Sequence, residues 1–339
     1  MSTFASALIT WQRRHGRRGL PWQGARDPYR VWLSEVMLQQ TQVAAVIPYY
    51  ERFVAAFPSA AALAAASEDE VLRLWSGLGY YARGRNLHAA ARKIAAQGFP
   101  QTAAQIAELP GVGRSTAAAI AAFAFGERAA ILDGNVKRVL ARCFGIEGWP
   151  GERAVEDRLW RLAGKLLPER DIEIYTQAVM DLGATVCTRS RPRCGACPVE
   201  RSCFARKHRR TEEIPAPRPR RALPQKAVTW LVLLHERKIL LEKRPAPGIW
   251  GGLWSFPEAQ GGPVRWMQDF GCEIASQREL EALEHGFTHF RLRIHPLLCE
   301  VAGRTPGAEM PGRLWMFPED AARAAVPAPV KKLAMRLDG

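Results

Sequence analysis

The 339-residue sequence is short of acidic residues and lacks any long hydrophobic run. It contains 33 Asp and Glu against 48 Lys and Arg, which leaves a formal net charge of +15 at pH 7. No apolar stretch approaches the roughly 20 residues that a membrane-spanning helix requires, so a soluble protein is expected. The positive charge predicts a polyanionic partner. Nucleic acid is favoured over a membrane surface because the basic residues lie in loops and around cysteines, not on a strongly amphipathic helix.

Cysteine is also sparse, with seven residues in the chain. Because no secretory segment precedes them, disulfide bonds are not expected, and an intracellular, cytoplasmic protein is predicted. Three of the cysteines have no partner at ligand spacing and are interpreted as core residues: Cys143, Cys272 and Cys299. The other four form a C-x6-C-x2-C-x5-C pattern: Cys187, Cys194, Cys197 and Cys203. Four thiolates suit either an iron–sulfur cluster or a structural zinc, and both interpretations stay open on spacing alone.

The pattern of residue types predicts a multi-domain protein of α and α+β class. Helical periodicity continues to about residue 205, and a Pro- and Arg-rich stretch over 213–225 is typical of an extended linker. We therefore predict a helical domain over 1–212 that includes the cysteine loop 187–203, the linker 213–225, and an α+β domain over 226–339. The predicted helices are Tyr29–Leu38, Ile47–Ala56, Glu68–Gly77, Arg83–Gln97, Ser115–Phe125, Asn135–Phe144 and Glu152–Leu166. The predicted strands are Val228–Leu234, Lys238–Lys243, Phe290–Glu300 and Arg313–Phe317.

A glycine-containing loop between two helical segments is a candidate phosphate-binding site. It reads Leu-Pro-Gly-Val-Gly-Arg-Ser-Thr over residues 109–116. Gly111 and Gly113 allow the loop to expose its backbone N–H groups, and the following helix directs its N-terminus to the same place. The alternative is a plain helix-to-helix turn. The whole string matches the helix-hairpin-helix pattern of DNA-binding enzymes, so we predict binding to a DNA phosphate, which contributes affinity but no choice of sequence.

Two carboxylates stand in contexts that suggest chemistry. Glu35 lies in the apolar run Val-Trp-Leu-Ser-Glu-Val-Met-Leu, where burial raises the pKa of a carboxyl and lets it serve as a general acid. Asp133 lies at the mouth of another helix, where a helix cap is the alternative interpretation. Together with the hairpin, the pair suggests cleavage of a glycosidic bond in DNA. One group would protonate the departing base while the other stabilises a cationic sugar.

These residues resemble the helix-hairpin-helix DNA glycosylases and, among them, the MutY-type adenine DNA glycosylases. The resemblance covers nearly the whole chain. It is carried by Leu20–Trp22, Trp32–Gln42, Gly77–Tyr81, the hairpin, Leu132–Val136, Met180–Gly183 and the four cysteines. It implies base excision repair of chromosomal DNA, a substrate adenine mispaired with guanine or 8-oxoguanine and flipped out of the duplex, and a 4Fe-4S cluster rather than zinc. A monomer is expected, with duplex DNA as partner and replication or repair proteins as candidate partners.

The resemblance also implies individual roles. Glu35 protonates the adenine and Asp133 stabilises the sugar cation. Four residues resemble the adenine pocket of the family: Arg18, Leu20, Trp22 and Gln177. Another group matches residues that enter or contact the DNA: Gln40, Thr41, Leu78, Tyr80, Gly111, Gly113, Ser115 and Asn135. Tyr80 is expected to wedge into the gap that base flipping leaves.

The nearest alternative is an endonuclease III-type glycosylase, which removes oxidised pyrimidines and then nicks the strand. Those bifunctional enzymes carry a lysine in the hairpin where this chain has Ser115, and serine cannot form a Schiff base. Weak or absent AP lyase activity is therefore predicted. A DNA-binding protein that lost its chemistry is disfavoured, because such a protein would not need Glu35, Asp133 and all four cysteines.

The C-terminal part resembles the Nudix-like domain of the same family, most closely over Trp250–Pro257. A nucleotide hydrolase is disfavoured, because residues 260–270 offer Asp269 as their one acid where a Nudix metal site needs several. Phe287, Thr288 and His289 match the loop with which the family probes 8-oxoguanine. The alternative there is a buried aromatic pair at the start of a strand.

Overall fold

The computed structural model describes residues 3–24, 26–219, 222–304 and 310–337. Residues 220 and 221 of the predicted linker lie outside this part of the chain, and so do residues 305–309 of the predicted C-terminal domain. None of the helices within the described ranges combines the length and the hydrophobicity that a membrane span requires.

The described residues up to 212 form helices and short 3₁₀ turns, and no strand. The helices are α1 (Thr3–His15), α2 (Pro28–Leu38), α3 (Val43–Ala56), α4 (Ala60–Ala65), α5 (Glu68–Trp75), α6 (Ala82–Gln97), α7 (Ala103–Ile106), α8 (Arg114–Phe125), α9 (Gly134–Phe144), α10 (Arg153–Lys165), α11 (Ile172–Thr185) and α12 (Phe204–Lys207). The predicted helical class is confirmed. Five of these helices were not predicted: α1, α4, α7, α11 and α12. The predicted start of α3 was four residues late, because Pro48 lies inside that helix.

Local chemistry explains where the helices nearest the candidate site begin. Asp27 caps α2, accepting hydrogen bonds from the backbone N–H groups of Tyr29 and Arg30, and Pro28 occupies the first turn. Asp133 caps α9 in the same way through the N–H of Val136. The core behind these helices contains the fully buried Leu8, Leu159 and Leu182, among other residues of α1, α8, α9, α10 and α11.

The C-terminal part is an α+β structure built on one mixed sheet. Its elements are β1 (Gln225–His235), β2 (Lys238–Lys243), β3 (Trp254–Ser255), α13 (Pro263–Phe270), β4 (Cys272–Glu279), β5 (Leu283–Gly286), β6 (Arg291–Arg304), β7 (Arg313–Met316), α14 (Pro318–Arg323) and α15 (Ala328–Leu337). The strand order is β3-β2-β1-β6-β4, with β5 paired to β6 and β7 to β2. Only β1 and β6 pair in parallel among the strand pairs described.

Both faces of this sheet are covered, which explains why β1 reads as a continuous apolar run. Trp230 and Val232 belong to one core, whereas the alternate residues Leu231 and Leu233 belong to a second core with Trp266. Side chains alternate along a strand, so burial on both faces requires apolar residues at successive positions.

Contacts divide the described chain into two compact units. Of the described residues, one unit comprises 3–24, 26–65 and 86–219, and the other comprises 66–85, 222–304 and 310–337. The segment 66–85 thus packs with the C-terminal unit. Leu72 lies in the same core as Trp230, and Lys243 Nζ lies 2.7 Å from Asp69 Oδ1. The sequence-based boundaries at 212 and 226 stay predictions.

Candidate active site

Glu35 lies on α2 and lines a pocket of about 310 Å³. The pKa of Glu35 is raised to about 8. Burial is the main cause, and the negative charge of Asp133 adds to the rise. A carboxyl with this pKa carries its proton at neutral pH and can donate it to a bound group.

Asp133 caps α9, and it also lies close enough to Glu35 for its charge to raise the pKa of Glu35. Its Oδ1 accepts a hydrogen bond of 2.7 Å from the N–H of Val136. Burial raises the pKa of Asp133, while hydrogen bonds from the Val136 and Asn135 N–H groups and the charges of Arg138 and Lys137 oppose that rise. The two interpretations made from the sequence, cap and catalytic carboxylate, are therefore compatible.

The pocket beside Glu35 has aromatic and amide walls. Trp22 and Gln177, two of the four predicted base-pocket residues, line it. Arg18 and Leu20 do not line it. Arg18 is exposed and its guanidinium donates to the carbonyl oxygen of Arg13, while the Leu20 N–H donates to Gln23 Oε1. The other lining residues are Gln12, Gln23, Gly24, Arg26, Val31, Ser34, Phe123, Glu173 and Ile174.

The glycine loop leads into α8 as predicted. Gly111 has a φ of +77°, and a Cβ there would lie 2.7 Å from Asn86 Cβ, so the position requires glycine. Gly113 is the N-cap of α8 and makes no side-chain capping bond, which leaves the first N–H groups of the helix available to a ligand. Ser115 Oγ accepts a 2.8 Å hydrogen bond from the Leu132 N–H, and so holds the segment that ends in Asp133.

Gln40 and Thr41 follow the end of α2. Gln40 is exposed and has a φ of +56°, a conformation that non-glycine residues adopt rarely and often at functional sites. Tyr80, in the other unit, shows the same two features, with a φ of +49° and 45% exposure. Leu78, two residues before it, is buried.

Phe287, Thr288 and His289 form the loop between β5 and β6. Phe287 stacks on the buried Phe290 with ring centroids 4.4 Å apart, and its N–H donates to the Phe290 carbonyl. Thr288 and His289 are exposed at the tip. The aromatic pair given as the alternative is thus present, and it supports the loop that carries Thr288 and His289.

The four patterned cysteines line one small cavity of about 20 Å³. All four are free thiols. Cys143 of α9 lines the same cavity, and its S–H hydrogen bond is the main cause that lowers the pKa of Cys203 to about 6. Cys143 is a core residue as predicted, but its proximity to Cys203 had no signal in the sequence because sixty residues separate the two.

Arg138, which was not among the predicted site residues, connects the start of α9 to the cysteine loop. Its Nη2 donates to Asn135 Oδ1 and to the carbonyl oxygen of Gly183, both at 2.7 Å, and its Nε donates to the carbonyl oxygen of Cys187 at 2.7 Å. Asn135, predicted to contact DNA, therefore also has a structural partner.

Comparison with known proteins gives two family matches. A model described as HhH-GPD superfamily base excision DNA repair protein matches residues 33–165, and one described as NUDIX domain matches 229–336. The adenine DNA glycosylase of Buchnera aphidicola from Acyrthosiphon pisum is 34% identical over 97% of this chain and 96% of its own. That of Homo sapiens is 34% identical over 98% of this chain and 73% of its own.

The chain belongs to the adenine DNA glycosylase family. The resemblance drawn from the sequence motifs is thereby confirmed, and the endonuclease III alternative is the less supported of the two.

Solved structures agree with the fold of an adenine DNA glycosylase. A thermostable thymine-DNA glycosylase matches with a TM-score of 0.54 and 28% identity, over 60% of this chain and 95% of its own. A non-covalent endonuclease III–DNA complex matches with a TM-score of 0.52 and 22% identity, over 62% of this chain and 99% of its own, which supports the fold alone.

Proposed function

We propose that this chain is a monofunctional DNA glycosylase that excises adenine mispaired with 8-oxoguanine or guanine in duplex DNA. The observation that carries the proposal is the carboxyl of Glu35, which lines a pocket of about 310 Å³ and whose pKa is raised to about 8 by burial and by the nearby Asp133. The names of the relatives support adenine as the base. The enzyme would act as a monomer on chromosomal DNA inside the cell.

In this mechanism the two carboxyl groups have different tasks. Glu35 donates its proton to the adenine, which leaves as a neutral base, and ionised Asp133 stabilises the positive charge that develops on the sugar. The pocket wall of Trp22 and Gln177 receives the flipped base, with Arg18 and Leu20 nearby in the loop that supplies Trp22.

Absence of a strand-nicking step follows from the hairpin. Ser115 stands where a bifunctional enzyme would carry its lysine, and its Oγ is already engaged by the Leu132 N–H. A hydroxyl cannot form the Schiff base on which lyase chemistry depends. AP lyase activity should therefore be weak or absent.

DNA binding combines a phosphate contact with residues that enter the stack. The N-terminus of α8, with Gly111 and Gly113, would hold one backbone phosphate. Gln40 and Thr41 in one unit, and Leu78 and Tyr80 in the other, would each contact the DNA, and the exposed ring of Tyr80 would act as the wedge beside the orphaned base. Thr288 and His289 would read 8-oxoguanine from the tip of the loop that Phe287 supports.

Four thiols in one cavity fit a 4Fe-4S cluster. Cys187, Cys194, Cys197 and Cys203 would hold it, and Arg142 Nη1 donates to Cys187 Sγ at 3.4 Å, a contact suited to a thiolate. When bound, the cluster would cross-link the loop and support its basic residues.

Single-turnover cleavage of duplexes with adenine opposite 8-oxoguanine, guanine or thymine tests the proposal. Each sample is divided into halves with and without alkali, and Glu35→Gln serves as the inactive control. Strand breaks only after alkali, and only for the first two duplexes, are expected. Breaks at oxidised pyrimidines instead, or a covalent adduct trapped by borohydride, would contradict it.

A further inference from the structure

A buried carboxylate outside the catalytic pair organises the pocket. Asp181 of α11 is completely buried. Its Oδ2 accepts hydrogen bonds of 2.9 Å from Gln12 Nε2 and from the backbone N–H of Arg17. Its Oδ1 accepts from Arg17 Nε and from Gln177 Nε2, both at 2.8 Å, and lies 2.6 Å from Arg17 Nη2. Among the described residues, these contacts to the carboxylate all come from hydrogen-bond donors, so it acts as an acceptor.

These bonds fix the orientation of two amides that line the pocket. A glutamine amide has a donor end and an acceptor end, and a carboxylate paired with a guanidinium can bond only the donor end. The carbonyl ends of Gln12 and Gln177 are therefore turned away from Asp181. Gln12 Oε1 is buried and has no hydrogen-bond partner among the described residues, although both glutamines line the pocket that contains Glu35.

The same carboxylate anchors a third part of the wall. It holds the backbone of Arg17, whose carbonyl oxygen accepts from Gln23 Nε2 at 3.3 Å. Gln23 lines the pocket. A Cβ at residue 16 would lie 2.2 Å from Gln12 Cδ, so Gly16 leaves the space that the Gln12 amide occupies in this position. The arrangement is thus built around the amides and is not a chance surface contact.

We infer that Asp181 is a positioning residue that sets base selectivity. It holds the Gln177 amide by its donor end, so that the carbonyl oxygen of Gln177 is the end available to the exocyclic amine of a flipped 6-aminopurine. A 6-oxopurine presents an oxygen at the same position and would face another acceptor, which a hydrogen-bonding site rejects. The inference rests on the proposed glycosylase function and adds a cause for the choice of base.

Hypoxanthine, which is adenine with oxygen in place of the amine, provides the test. Single-turnover rates are measured for adenine and hypoxanthine in the same duplex context, opposite the same partner base. Asp181→Ala frees the amides to rotate, so the adenine-to-hypoxanthine rate ratio should fall by about tenfold or more, the effect of one lost hydrogen bond. Gln177→Met should lower the ratio similarly, and the double variant should fall no further, because both changes remove the same interaction.

A matched control lies between the same two helices. Arg13 of α1 and Asp171, which precedes α11, form an ion pair of 2.9 Å, and neither residue lines the pocket. Asp171→Ala should leave the ratio unchanged. If Asp181→Ala slows both bases equally, or if the double variant loses the product of the two single losses, Asp181 is merely structural and the inference is wrong.

The wild-type protein keeps the test decisive even if Asp181→Ala does not fold. Equal wild-type rates on adenine and hypoxanthine would overturn the inference without any variant. Failure of the wild type to excise adenine from any duplex would instead overturn the proposed function, and this inference with it. Adenine excision with a ratio that Asp181→Ala leaves unchanged would overturn the inference alone.

Discussion

At the scale of single residues, burial raises the pKa of Glu35 and so makes it the expected proton donor for excision. Replacing it by glutamine keeps the shape but removes the proton that can be transferred, so the single-turnover rate should fall roughly 10²–10⁴-fold. Binding to a duplex with an uncleavable adenine analogue should persist, because the pocket walls are unchanged. A Glu35→Gln variant with nearly normal rates would exclude Glu35 as the acid.

The pH dependence of excision should report both carboxyl groups. The pKa of Glu35 is raised to about 8, so its acid form is lost, and the rate falls, as pH rises through about 8. The rate should also fall as pH is lowered through the raised pKa of Asp133, because Asp133 must be ionised to stabilise the sugar cation. A bell-shaped profile of single-turnover rate against pH is expected, with apparent pKa values that belong to the pair. A rate that keeps rising above pH 9 would contradict the assignment of Glu35 as the acid.

Thr288 and His289 allow the reading of the partner base to be separated from catalysis. Both are exposed and Phe287 supports their loop, so changing both to alanine should leave the fold intact. The preference for adenine opposite 8-oxoguanine over guanine should shrink, while cleavage opposite guanine stays close to normal. Gln277→Ala, an exposed change on β4, is the control. Unchanged preference in the double variant would mean that the loop does not read the lesion.

At the scale of elements, local signals predicted most of the helices but not the contacts that build the pocket. The helices α2 and α9 begin with Asp caps, which the sequence displays. By contrast, α11 follows Asp171 in a left-handed conformation without a side-chain capping bond, so its start carries no usual signal. The bond between Gln12 and Asp181 joins residues 169 positions apart, and no local periodicity reports such a pair. Glu35, Asp133 and the cysteines were recognisable because their spacing and neighbours are local.

The segment 66–85, which contains α5, lies within the helical part of the sequence but packs with the C-terminal unit. Leu72 of α5 is fully buried in the core of the C-terminal unit. Leu72→Ala should cost about 2–5 kcal/mol of unfolding free energy there. Hydrogen exchange should then increase over 66–85 and 222–337, and change little in α8 to α11. The matched control is Leu63→Ala on α4, equally buried but in the helical unit, where the pattern should be reversed. Increased exchange confined to 86–219 in the Leu72 variant would contradict this packing.

At the scale of the whole molecule, a net charge of +15 makes DNA affinity a function of salt. Each phosphate neutralised releases counterions, so log affinity should fall linearly with log salt, with a slope near −0.9 for each contact. The inactive Glu35→Gln protein permits this measurement on intact duplex. An affinity that does not change between low and high salt would contradict a DNA-binding function altogether.

If the basic segment around the cysteines binds DNA, removing charge from it should weaken binding more than removing the same charge from another surface. If only the total charge matters, the two changes should weaken binding equally. The segment 189–226 holds twelve Lys and Arg against three Glu, and Arg201 and Lys207 are exposed within it. If each contacts a phosphate, alanine at both positions should reduce the salt slope by about 2 and weaken binding equally for matched and mismatched duplexes. Alanine at Lys331 and Lys332, exposed on α15, removes the same charge from another surface and should change the slope little. Equal losses from the two pairs would mean that total charge governs binding, and that the basic residues around the cysteines serve the loop and not the DNA.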